Sequence, residues 1–108
     1  MDLSPSPLAR TFPELPSIDG VTLRVARAGY KDWNRADLTF AELAEGTAVA
    51  GVFTKAACAS SEVEMGRIQV RQGSARALIV NAGNSNAFTG HRGREAVEQI
   101  VAQVAKAL

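Results

Sequence analysis

The sequence predicts an α+β fold: a mixed or antiparallel sheet with helices packed on it. Three observations predict it. Short apolar stretches with strand-like patterning dominate up to residue 81, a single stretch of period 3.6 closes the chain, and the order of elements is β-β-β-α-β-loop-α rather than a regular strand–helix alternation. A length of 108 residues leaves room for one domain, and 46% hydrophobic with 21% charged residues is ordinary globular composition.

Residues 1–19 contain all four prolines, Pro5, Pro7, Pro13 and Pro16. Each fixes φ and removes an amide donor, so the segment reads as an extended N-terminal arm preceding a domain over 20–108. Val21-Thr22-Leu23-Arg24-Val25 alternates apolar and polar side chains, as a half-buried strand does. Ala28 to Asn34 breaks the pattern and carries the chain's single Tyr and Trp, Tyr30 and Trp33, read as exposed anchors for a partner surface. Asp37–Leu43 reads as a second strand, Glu45-Gly46-Thr47 as a turn, and Ala48–Thr54 as a third strand paired antiparallel to the second. Ser61 and Glu64 have the spacing of a capping box. The helix they open should run to about Val70, weakened by roughly 1 kcal/mol through Gly66 in its interior. Arg76–Asn81 is expected to be the most deeply buried strand. From Gly93, Val97, Ile100, Val101, Val104 and Leu108 recur on one face of an amphipathic helix, with Lys106 in its last turn. That helix runs to Leu108 without a glycine cap or a proline stop, so the chain is expected to be part of a longer one.

Several function classes are excluded by composition. A net charge of +1 supplies no field for nucleic acid or acidic membranes. No apolar run approaches the roughly 18–20 residues of a membrane helix, and the N-terminus lacks a signal-peptide pattern. A lone cysteine, Cys58, precludes an internal disulfide and fits a reducing compartment, so a cytoplasmic location is expected. A lone His91 precludes multi-histidine metal sites, and no metal is expected.

The stretch that carries chemistry is Val80-Asn81-Ala82-Gly83-Asn84-Ser85-Asn86-Ala87-Phe88-Thr89-Gly90. A strand delivers the chain into small and amide residues that then open a helix. Small residues permit close backbone approach, asparagine tolerates left-handed angles, and amides at a helix start receive negative charge. A phosphate, a carboxylate and the oxyanion of an acyl-transfer intermediate all suit such a place. A nucleotide P-loop does not, because Gly83 and Gly90 are not followed by the lysine it needs. Elsewhere, Thr54 reads as a structural strand-end residue, Cys58 as an inert, partly buried thiol, and His91 as a solvent-facing first-turn residue. Arg92 and Arg94 flank His91 and could attract anions. Asp37 is expected to bond locally, to Arg35.

The loop resembles the signature V-N-S-G-N-A-N-A-x-T-G of the ornithine acetyltransferase (ArgJ) family, the bifunctional glutamate N-acetyltransferases of arginine synthesis. Arg35-Ala36-Asp37-Leu38 is similar to that family's R-x-D-L segment, and Glu45 to Lys55 to its E-G-x-x-x-A-G-V-F-T-[KRQ] segment. Departures are Ala82 for Ser, Ser85 for Ala, and Ser61-Glu62-Val63 for Ala-Pro-Val. The resemblance implies the N-terminal part of an α-β-β-α sandwich of the ArgJ/DmpA kind. It implies transfer of the acetyl group of N-acetylornithine to glutamate, without a cofactor, acetyl-CoA serving some members as co-substrate. It also implies a precursor that cuts itself before a threonine, which becomes the nucleophile of the second chain with its own α-amine as base. Thr89 and Gly90 match the family's oxyanion pair; Asn81, Gly83, Asn84 and Asn86 are expected to support their loop. The nucleophile's neighbourhood does not occur in this sequence. The expected partner is therefore the rest of the precursor, a second (beta) chain, in a heterotetramer of two cleaved heterodimers. Two other readings stay open: a stand-alone module binding an anion or acyl-amino acid, and a self-cleaving amidohydrolase or aminopeptidase.

Overall fold

Both edges of β2 (Leu38–Leu43) are occupied, and this decides the rest of the architecture. In the computed structural model, which describes residues 6–108, β2 pairs antiparallel with β1 (Val21–Ala26) on one side and β3 (Ala77–Asn81) on the other. Helix α1 (Ser61–Gln69), extended by a 3-10 turn over Val70–Gln72, and helix α2 (Gly90–Ala107) complete the fold. The α+β class predicted from the sequence is the class observed.

The register places Leu23, Ala41 and Leu78 in one row across the sheet, with Val25, Thr39 and Val80 in the next. Strand side chains alternate between faces, so these rows share one surface. Leu23, Val25, Leu78 and Val80 are 51–68% exposed there, and Ala41, between its larger neighbours, is the single buried hydrophobic residue among those described. The opposite face carries the Arg24–Glu42 ion pair at 2.7 Å and Ile79, which lines an open groove with Ala96, Ile100 and Val104 of α2. The two helices pack on each other and are tied by Arg94 and Glu64 at 2.9 Å.

Several expectations are corrected. Ala48–Thr54 is not a strand: it makes one bridge, Ala48 to Ser74, with Val49 N–H donating to the Gly73 carbonyl at 3.0 Å. Its alternation suits a strand, but β2 has no edge left to pair with it. Phe53 instead turns its ring between Gly51 and Gly66 of α1, and a Cβ on either glycine would stand 3.2 Å from it. Gly66 thus weakens α1 in propensity but makes room for an aromatic ring. Thr54 is a loop residue whose carbonyl accepts from Arg67 Nη2 at 2.7 Å. The capping box does not form. Ser60 is the N-cap and makes no side-chain cap bond; with Ser60 there, the third helical residue is Val63, which has nothing polar to return. β3 is an edge strand, half-open to solvent, and β2 is the most buried strand. Helix α2 begins at Gly90, three residues before the predicted start. Cys58 is exposed rather than partly buried.

Of the proline-containing arm, residues 6–19 contain no strand or helix and leave Leu8, Phe12, Leu15 and Ile18 exposed. Pro5 lies outside the described residues. No helix among the described residues is long and apolar enough to cross a membrane.

Candidate functional site

The loop between β3 and α2 is held at its start by Asp37. This residue is 5% exposed and stands just before β2. Its carboxylate accepts the amides of Ala28 at 2.5 Å, Gly29 at 3.0 Å and Tyr30 at 3.1 Å. The Ala28 bond, with those from Tyr30 and Gly29, holds the carboxyl below the usual aspartate range, against the opposing effect of burial. Asp37 also accepts the Ala82 amide on its own carbonyl at 2.8 Å, so one residue fixes the 28–30 turn and the first loop residue after β3. Its expected bond to Arg35 is not made; Arg35 instead lies over the Trp33 ring at 4.2 Å. Trp33 is half-buried rather than an exposed anchor, and Tyr30 likewise. A Cβ on Gly83 would stand 3.0 Å from the Trp33 ring, so the loop rests on the indole at a residue with φ +91°. Asn81 donates from Nδ2 to the Asn84 carbonyl at 3.3 Å.

The loop then turns into an open cleft of about 550 Å³ between the starts of the two helices. Asn86, Phe88, Thr89, Gly90, His91 and Arg94 line one side, and Cys58, Ser61 and Glu64 the other. The structure therefore brings Thr89, Gly90 and Asn86 to one cleft, while Asn81, Gly83 and Asn84 lie outside its lining, earlier in the same loop. Backbone φ runs +58° at Phe88, −96° at Thr89 and +60° at Gly90. Alternation of left- and right-handed residues is the winding that turns successive amides to one side, a geometry suited to anionic oxygen. The first amides of α2 add to it, since a helix start has donors without intrahelical acceptors. Thr89 Oγ1 lies 2.9 Å from the Asn86 carbonyl and 2.6 Å from Asn86 Oδ1.

Sequence reasoning missed Gly93, the one buried residue of α2. A Cβ there would overlap Thr89 Oγ1 and approach Asn86 Oδ1 to 2.5 Å. The sequence pattern set Gly93 at the head of the helix, where glycine draws no notice; inside the helix it costs about 1 kcal/mol against alanine and signals a packing reason. Among the described residues no group of three or more His, Cys, Asp or Glu side chains is placed to hold a metal ion.

An antiparallel sheet delivering an Asn/Gly loop to a helix start is also found in part of a solved ornithine acetyltransferase. The chain superposes on the crystal structure of ornithine acetyltransferase complexed with ornithine from Mycobacterium tuberculosis with a TM-score of 0.68 and 31% identity, over 71% of this chain and 40% of that one. The chain belongs to the ArgJ family, whose model matches residues 22–108. Among similar proteins are the arginine biosynthesis bifunctional proteins ArgJ of Zymomonas mobilis, 59% identical over 93% of this chain, and of Bradyrhizobium diazoefficiens, 50% identical over 100% of this chain. The chain spans about a quarter of the length of these relatives, 25% and 26% respectively.

Proposed function

We propose that this chain supplies the oxyanion hole of a glutamate N-acetyltransferase that takes its acetyl group from N-acetylornithine in arginine biosynthesis. The observation that carries the reading is the winding of residues 88–90 at the mouth of the cleft. The Thr89 hydroxyl and the Gly90 amide are the two donors. A threonine nucleophile on a second chain, freed by self-cleavage of a common precursor, attacks the acetyl carbonyl. As its Oγ–C bond forms, the carbonyl π pair moves onto oxygen, and that oxygen is the charge the two donors receive. Collapse returns the pair, breaks the C–N bond and releases ornithine's amine, which takes the proton held by the nucleophile's α-amine. Glutamate's amine repeats the sequence in reverse. No cofactor takes part, and acetyl-CoA is an alternative acetyl donor.

The apolar face of the sheet supports a role for a second chain, because Leu23, Val25, Leu78 and Val80 lie exposed side by side, and contiguous apolar patches mark interaction surfaces. Two cleaved heterodimers form the working assembly, in the cytoplasm. The 108-residue chain alone is expected to transfer no acetyl group.

In the complete enzyme, Thr89→Ala tests the reading. Removal of an oxyanion donor lowers kcat on the order of 100- to 1000-fold with little change in KM, because the donor acts mainly in the transition state. An unchanged kcat refutes it. Acetate release that ignores glutamate would assign the site to a hydrolase instead.

A further inference from the structure

We infer that Asn86 is the positioning residue for the Thr89 hydroxyl and that Gly93 is glycine to leave the hydroxyl its place; the inference rests on the oxyanion reading above. A threonine hydroxyl has one proton and rotates about two bonds, so on its own it is a loosely aimed donor. Here it is not on its own. Asn86 Nδ2 donates to the Gly93 carbonyl at 2.8 Å. A carbonyl can only accept, so this contact decides which end of the Asn86 amide is nitrogen and turns Oδ1 toward Thr89. Oδ1 then stands 2.6 Å from Thr89 Oγ1, and the Asn86 backbone carbonyl stands 2.9 Å from the same atom. Two acceptors of one residue thus locate the hydroxyl oxygen, and helix α2 holds that residue still. The hydroxyl proton rests on Asn86 while the site is empty and swings to the developing oxyanion with Oγ1 unmoved.

Gly93 completes the latch by what it lacks. Its Cβ would overlap Thr89 Oγ1, stand 2.8 Å from Thr89 Cβ and 2.5 Å from Asn86 Oδ1. The hydroxyl occupies the volume any other residue at position 93 would fill.

The test is a double-mutant cycle in the complete enzyme, scored by steady-state acetyl transfer from N-acetylornithine to glutamate. Asn86→Ala should lower kcat on the order of 100-fold, the loss expected when a reacting group is misplaced by about 1 Å, with KM little changed. Combined with Thr89→Ala it should cost nothing further, because Asn86 acts through the hydroxyl that variant has already removed. Losses that multiply overturn the inference, as does a near-normal Asn86→Ala enzyme beside a slow Thr89→Ala enzyme. If Thr89→Ala itself keeps full kcat, the oxyanion reading falls and this inference with it, a distinguishable result. Gly93→Ala gives a second, independent reading should Asn86→Ala not fold. Alanine is the better helix former, so the expected result is a folded enzyme with kcat lowered at least about 10-fold by the displaced hydroxyl. A folded Gly93→Ala enzyme with unchanged kcat overturns the inference.

Discussion

Gly90→Ala sets two effects of known size against each other. Gly90 has φ +60°, and a Cβ built there meets nothing within 4 Å, so the methyl costs conformation and not space. The left-handed region costs a non-glycine residue about 1–2 kcal/mol. The substituted loop can relax in the free enzyme by rotating φ to negative values, which swings the amide out of the concavity. In the transition state it has two choices. It can do without the amide, at about 2.7–4 kcal/mol, the worth of one oxyanion donor. Alternatively, it can return to the strained angle at about 1–2 kcal/mol. Returning is cheaper, so kcat should fall about 5- to 30-fold, by the conversion of roughly 1.4 kcal/mol per factor of ten. That is a smaller loss than Thr89→Ala, whose donor cannot be recovered. The assay is steady-state acetyl transfer by the complete enzyme, with circular dichroism to check folding. A kcat within twofold of the parent would refute the assignment of the Gly90 amide as a donor. A loss as large as that of Thr89→Ala in a folded enzyme would refute the strain argument.

Other expected outcomes follow from the rest of the structure. Because the Asp37 carboxyl is held below its unfolded value, its contribution to stability is present above pH 4 and should be lost as pH falls through the lowered folded value. Asp37→Asn should therefore melt lower than the parent near neutrality, with the gap closing in acid; a gap that persists in acid would contradict it. Phe53→Ala should lower stability by about 1.5–2.5 kcal/mol, read from the urea midpoint and slope, roughly half the fully buried value, since the ring is only half-buried against Gly51 and Gly66. No shift would mean the ring does not anchor residues 48–54. The isolated chain should self-associate and bind a hydrophobic dye through the Leu23, Val25, Leu78 and Val80 face. A monomer by sedimentation that binds no dye would show that face to be covered.

Local pattern was enough to place the five principal elements nearly where they stand. β1, β2 and β3 match the predicted strands to within a residue at each end, and α1 begins where its serines and acidic residues start. The loop over 80–90 was legible too, as a strand emptying into small and amide residues before a helix. These features are set by residues close together in the chain, where periodicity and turn chemistry act directly.

The tertiary structure decided everything that depends on who else is present. Periodicity shows that Ala48–Thr54 can be a strand but not that both edges of β2 are already taken by segments before and after it. Asp37 reads as a partner for Arg35 two residues away, yet three amides seven to nine residues distant fit its carboxylate better. Gly93 reads only as the start of the helical pattern, and the approach of Asn86 and Thr89 shows why a methyl has no place there. The physical reason is common to all three. A strand edge, a carboxylate's lone pairs and a methyl-sized space are each used once, and which segment uses them is settled by competition across the fold.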